Sequence, residues 1–296
     1  MPYERLGQAM PPLAFIDHSI VTHEPSWAAL EALVSGGHAQ HAQLVLSVWN
    51  LYEIGQAGDR AQQDRRLAFL ARQSPVWAVE RCTLQQKEVE RFLYQHYFHT
   101  APSAFDVIVL SLSMMHYHSS GRYIAGLTPR QWIDGVDFKR LDKLKDLSPN
   151  ALKTLQSAGP QVVKAKQQEM FRAWIRNLIP TFDPNRRALK KTEIEQLLDF
   201  CEAHSALFLS ECKSLAVEDA LTRARTSDPK RKPLRSDGPD LQHAVAALAY
   251  GNLFLVRDGF VRNCSQYAIK NLAGRHSLAA VFATPDEASK EVGHAA

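Results

Sequence analysis

Four acidic residues in this chain stand where α/β proteins do chemistry. Asp17 follows the apolar run LAFI, and Glu53 lies in the first turns of a helix leaving the run AQLVLS. Asp240 opens the apolar stretch DLQHAVAALAY, and Asp258 follows the short run NLFLVR. Carboxylates gathered in one place repel one another unless a cation neutralises them. Hard oxygen donors in that number suit Mg²⁺ or Mn²⁺, which keep several waters and take their remaining ligands from a phosphate. Each residue also has a plain structural reading. Asp240, after Gly238-Pro239, is a suitable helix N-cap; Asp258, before Gly259, is a turn residue; Glu53 can be a partly exposed helical acid. Asp237, three residues before Asp240 and read as lying outside the helix, is either a fifth carboxylate for the cation or a turn residue. Ser19 and Ser47 lie beside the acids and can orient them by hydrogen bonds, although serine after a strand is also common in plain turns.

These residues share one edge only if the chain alternates strands and helices. It does so at both ends. LAFI, AQLVLS and VWAVER read as buried strands, and EPSWAALEALVSGG, VWNLYEIGQAG, RAQQDRRLAFLARQ and TLQQKEVERFLYQHYF read as the helices between and after them. Strand and helix in alternation argue for a parallel sheet with helical crossovers, whose strand C-termini and helix N-termini fall on one edge, and ligands gather there. From residue 100 to 235 the spacing predicts helices near 104–118, 129–134, 149–156, 160–178, 192–210 and 213–225 and no strand. The α/β pattern then resumes with helix 240–250, strand 252–257, helix 264–273 and the strand SLAAVFA. The expected organisation is an α/β domain in two parts, 1–99 and 236–284, interrupted by an all-α insertion over 100–235 and followed by a fraying tail, 285–296.

The 296 residues carry 45% hydrophobic and 22% charged residues, the composition of a globular protein with a substantial core. No apolar run is long enough to span a membrane, and the N-terminal residues lack the continuous apolar region of a secretion signal, so a cytoplasmic location is expected. The four cysteines are scattered and form no CxxC pair, which argues against a zinc ribbon or a disulfide framework. Charge is uneven: Lys139 to Arg235 hold 20 basic against 12 acidic residues, while the chain as a whole has 35 against 31. A basic segment beside an acidic remainder suggests a polyanionic partner. Lys230, Arg231, Lys232 and Arg235 run directly into the Asp240 segment and can hold phosphates, or form a solvated loop. Arg186, Arg187, Lys190 and Lys191 form a second basic run.

In order along the chain, the segments AFIDHSI, LVLSVWNLYEI, PDLQHAVAALAYGNLFLVRDGF and SLAAVFATPDEA resemble the four landmark segments of PIN-domain nucleases. The resemblance covers roughly residues 13–98 and 236–287. It implies a three-layer PIN-like fold around a parallel β-sheet. Asp17 matches the family's Asp at the end of the first strand, Ser47 and Glu53 its Ser and Glu on the second segment, and Asp240 its DxxxAxxA helix. Asp258 matches the last Asp. Where the family often has Thr or Ser before that Asp, this chain has Arg257, which can hold the scissile phosphate or mark an altered site. The long insertion is absent from compact toxin-type members, so classification as a toxin is not supported.

The resemblance further implies a Mg²⁺- or Mn²⁺-dependent (endo)ribonuclease with nucleic acid as substrate, RNA favoured over DNA, and no nucleophilic side chain. Two other readings use the same residues: a catalytically inactive PIN-like module that binds nucleic acid or a protein, and a structural protein in which the acids are caps. The apolar run FDVIVLSLSMMHY reads as a core helix of the insertion or a homodimer contact. Among the histidines, His243 lies one turn into the Asp240 helix and is read as a support for the ligands rather than a ligand.

Overall fold

The computed structural model describes residues 11–35, 41–138, 160–227 and 237–294. The fold is α/β. Six strands, β1 (Leu13–Ile16), β2 (Gln43–Leu46), β3 (Val76–Ala78), β4 (Ile108–Val109), β5 (Leu253–Leu255) and β6 (Ala280–Phe282), form one sheet in the order β4-β3-β2-β1-β5-β6. Every neighbouring pair is parallel except β3 with β4. At the centre Phe15 pairs with Val45 on one side and Phe254 on the other. Ala14, Phe15, Ile16, Leu44, Val45, Leu46 and the three residues of β5 are all buried, as strands covered on both faces must be.

Right-handed crossovers explain the two helical layers. The connections β1 to β2 and β2 to β3 advance in one direction, and β5 to β6 advances in the other, so their helices lie on opposite faces. Helices Trp27–Ser35, Val48–Gln56, Arg60–Arg72 and Pro129–Gly135 belong to one side. Arg81–His96, Lys213–Ser227, Asp237–Tyr250 and Gly259–Leu272 pack against one another on the other side.

The helical segment is joined to this core rather than appended to it. Helix Lys213–Ser227 contacts Arg81–His96, Asp237–Tyr250 and Gly259–Leu272, and its Ala216, Val217, Ala220 and Leu221 enter the main core. A second apolar cluster unites Phe92 and Leu93 with Ile175, Leu197, Leu198 and Phe208, so helices Pro160–Leu178, Lys191–Ala203 and Ser205–Glu211 cover the outer side of Arg81–His96. Glu88 fastens the junction. Its buried carboxylate accepts hydrogen bonds from Ser214 N (2.9 Å), Ser214 Oγ (2.6 Å) and Tyr250 Oη, capping helix Lys213–Ser227 from another element. Burial pushes its pKa up, against the pull of these donors.

Four elements differ from the sequence expectation. The helix expected over 104–118 is a strand followed by a shorter helix: the β-branched Val107, Ile108 and Val109 extend along β3, and Ser111 starts helix Leu112–Ser120 by accepting from Met114 N (3.2 Å). Of that apolar run, Leu112 and Met115 are buried, while Leu110 and Met114 are exposed. The helix expected over 192–210 divides at His204, whose backbone N and ring Nδ1 both contact the Phe200 carbonyl (3.1 and 2.9 Å). The helix after β5 begins at Gly259, five residues before the expected start, because Asp258 caps it. Residues 285–294 form a helix instead of fraying: Thr284 Oγ1 accepts from Glu287 N (3.3 Å), Glu287 accepts from Ala283 N (2.9 Å), and buried Ala288 seats the helix beside Trp27–Ser35. The helix expected near 149–156 lies outside the described residues. Among the described residues no helix is long and apolar enough to cross a membrane.

Candidate metal centre

β1 and β5 are neighbours whose outgoing connections lead in opposite directions, to β2 and to β6. Such a reversal leaves a crevice outside the carboxyl ends of the two strands, where the departing helices diverge. Asp17 is the first residue past β1. Its backbone N–H donates to Leu255 O (2.8 Å), which pins it to the end of β5. Its Oδ2 accepts from Ser19 N (2.9 Å) and Ser19 Oγ (2.5 Å), capping helix His18–Thr22. Ser19 Oγ in turn accepts from Arg257 N (3.0 Å), so one hydroxyl ties the two strand ends together.

Asn50 does the same for β1 and β2. It is fully buried, donates from Nδ2 to Ile16 O (3.0 Å) and accepts at Oδ1 from Ser47 N (2.9 Å). Ser47 completes the start of helix Val48–Gln56 by accepting from Trp49 N (3.2 Å). Glu53 follows Asn50 by one helical turn and therefore faces the same crevice. From the opposite layer, His243 of helix Asp237–Tyr250 approaches the carboxylates. One ligand atom from each of Asp17, Glu53 and His243 lies within 4.8 Å of the other two.

Burial makes this trio unusual. Asp17 is 5% exposed and His243 4%. His243 Nδ1 faces Ser47 Oγ at 3.5 Å, whereas Nε2 is buried with no hydrogen-bond partner among the described residues. His18 lies beside the group, with Nδ1 3.7 Å from Glu53 Oε2. Burial lowers the His18 pKa to about 4, against the pull of Asp17 and with help from Arg66 and His243. Burial likewise lowers that of His243, with Asp17 opposing. Both imidazoles are thus neutral at neutral pH, and each retains a lone pair for a cation.

The donor set fits a divalent ion. Neighbouring ligands of an octahedral ion at about 2.1 Å stand about 3.0 Å apart and opposite ones about 4.2 Å, so atoms within 4.8 Å of one another gather round one ion by closing up to about 1.8 Å, within the reach of side-chain rotation. Two carboxylates and a neutral imidazole are ligands of the right charge and type, and an orphaned buried nitrogen is costly without a partner.

The remaining sequence-derived residues distribute as follows. Asp240 stands one turn before His243 in the same helix, half-buried and outside the trio. Asp258 is exposed, also outside the trio, and caps helix Gly259–Leu272 by accepting from Val261 N (2.9 Å). Asp237 is the first residue of its helix rather than a loop residue preceding it. Arg257 is exposed beside Ser19 at the crevice. Lys230, Arg231, Lys232 and Arg235 lie outside the described residues. In the second basic run, Arg187 is held by Glu193 (2.9 and 3.1 Å) and Asp183 (3.0 Å), so its charge is engaged within the protein.

Sequence reasoning passed over His18 and read His243 as a support for the ligands; the structure brings a ring nitrogen of His243 within 4.8 Å of a carboxylate oxygen of both Asp17 and Glu53. The signals were present. His18 directly follows the strand-end Asp, and His243 is three residues beyond Asp240, the spacing that puts two side chains on one helix face. Comparison with protein-family models, with curated proteins and with solved structures gives no match.

Proposed function

We propose that the protein is a PIN-like, metal-dependent nuclease that hydrolyses phosphodiester bonds, with RNA as the favoured substrate. The observation that carries this reading is the approach of two carboxylates from separate elements, Asp17 and Glu53, in the crevice between β1 and β5. Asp17 and Glu53 would hold Mg²⁺ or Mn²⁺, with Asp240 and Asp258 at the mouth acting through water. The ion, when bound, supplies Lewis acidity that acidifies water and offsets charge on the phosphate oxygens. The chain's own contribution is placement. Ser19 and Asn50 fix the strand ends, His18 stays neutral and adds no competing charge, and Arg257 offers a cation to the substrate phosphate. The basic residues Lys230, Arg231, Lys232 and Arg235 immediately precede the helix that carries His243, and in this reading they hold flanking phosphates.

The test is cleavage of labelled single-stranded RNA by the full chain with Mn²⁺, with Mg²⁺ and with chelator. Metal-dependent cleavage that disappears in Asp17→Ala supports the reading, and cleavage that persists in chelator overturns it. RNA binding without hydrolysis under either ion favours a silent binding module, a reading to which the position of Asp258 as an exposed helix cap lends weight.

A further inference from the structure

We infer that His243 is a direct metal ligand through Nε2, making this a mixed oxygen and nitrogen centre that takes a first-row transition ion, Mn²⁺, in preference to Mg²⁺. The inference rests on the cation site proposed above and specifies its donor set.

Three observations carry it. His243 is buried to 4% exposure, and its Nε2 meets no hydrogen-bond partner among the described residues, although the imidazole sits on a helix otherwise packed with alanine, valine and leucine. A core position of that kind would ordinarily hold an apolar residue, because an unpaired buried nitrogen costs free energy. Second, a nitrogen of the ring lies within 4.8 Å of a carboxylate oxygen from each of the two acids. Third, the other ring nitrogen has a support: Nδ1 faces Ser47 Oγ at 3.5 Å, and that oxygen is itself anchored by Trp49 N (3.2 Å). An Nδ1–H directed at the hydroxyl oxygen leaves the lone pair on Nε2, the usual arrangement for an imidazole ligand whose second nitrogen is held by a neighbour. Ser47 thus acts through His243 as a positioning residue.

Ligand type then decides the ion. Mg²⁺ favours all-oxygen surroundings and parts reluctantly with water, whereas imidazole favours transition ions; Mn²⁺, although the weakest binder of the first-row divalent series, accepts a mixed shell of carboxylate and imidazole more readily than Mg²⁺ does. A carboxylate-only pair discriminates weakly between Mg²⁺ and Mn²⁺. Adding one nitrogen donor shifts the preference toward Mn²⁺.

The experiment uses the full chain stripped of metal by chelator. Mn²⁺ is titrated by the loss of its free-ion electron paramagnetic resonance signal, with Mg²⁺ as competitor, and pulsed spectra of the bound Mn²⁺ are searched for coupling to a ¹⁴N nucleus. The expected result is at least about tenfold preference for Mn²⁺ and a directly coordinated nitrogen that changes on ¹⁵N-histidine labelling. That nitrogen signal should persist in His18→Asn and vanish in His243→Asn, with Mn²⁺ affinity in the latter falling about tenfold or more and Mg²⁺ competition nearly unchanged. Because the spectrum is read on the wild-type chain, the outcome does not depend on whether His243→Asn folds. Bound Mn²⁺ with no nitrogen coupling overturns the assignment of His243 while leaving a carboxylate cation site. Binding of neither ion overturns both readings. A nitrogen-coupled Mn²⁺ in a protein that cleaves no RNA sustains this inference and sinks the nuclease reading alone.

Discussion

Replacing Glu53 by Gln should stabilise the metal-free protein and weaken its response to metal. Carboxylate oxygens of Asp17 and Glu53 lie within 4.8 Å of one another. Two unit charges at that separation repel by about 3.5 kcal/mol at an effective dielectric of about 20. Ser19 N and Oγ hold the Asp17 charge on one oxygen, and Glu53 is partly open to solvent, so the net relief from Glu53→Gln should be about 1–3 kcal/mol. A structural acid behaves in the opposite way, since deleting its charge removes a favourable interaction. Urea midpoints of wild type and variant, measured in chelator, give the sign. Repeating the measurement with Mn²⁺ at about 100 times its dissociation constant should add about 2.7 kcal/mol to the wild type and far less to the variant. A Glu53→Gln protein that is less stable than wild type in chelator, or that gains as much from Mn²⁺, would refute the view that these acids are gathered for a cation.

Three further predictions follow from the same geometry. His18 titrates near 6.5 when unfolded but near 4 when folded, so the unfolded chain binds more protons between those values. Its contribution to stability is complete above about pH 6.5 and falls by about 1.4 kcal/mol per unit as pH drops toward 4; the wild type should lose stability over that window relative to His18→Asn, and parallel curves would contradict it. Glu88→Ala leaves Ser214 N, Ser214 Oγ and Tyr250 Oη without their acceptor, which should cost about 3 kcal/mol in urea unfolding, whereas a change below about 1 kcal/mol would mean the helical segment is not fastened there. Of the four cysteines only Cys82 is exposed, and burial raises the Cys201 thiol to about 12, so a thiol reagent should label one cysteine in the native chain and four after unfolding.

The parallel sheet was legible because its strands are short apolar runs with helical spacing between them, a pattern set by burial on both faces. Asp17 and Glu53 were legible as partners for the same reason, since strand ends in such a sheet share an edge. β4 was not legible: Ile108 and Val109 sit in an apolar run whose spacing also suits a helix, and only pairing with Trp77 and Ala78 decides between the two. The terminal helix was obscured by its polar composition, because a single buried face containing Ala288 and a capping pair at Thr284 and Glu287 suffices to seat it. The nearness of His243 to both acids was not legible, because sequence spacing places a residue on a helix face but does not reveal that the face comes within 4.8 Å of two carboxylates. That depends on the long-range packing of helix Asp237–Tyr250 beside β1 and β5.

The most direct measurement is the anomalous scattering of Mn²⁺ in crystals of the full chain grown from metal-free protein and soaked with the ion. The account predicts a peak in the crevice between β1 and β5, about 2.0–2.3 Å from one oxygen of Asp17, one oxygen of Glu53 and Nε2 of His243. A peak elsewhere, or none at a concentration that saturates Mn²⁺ binding in solution, would contradict it.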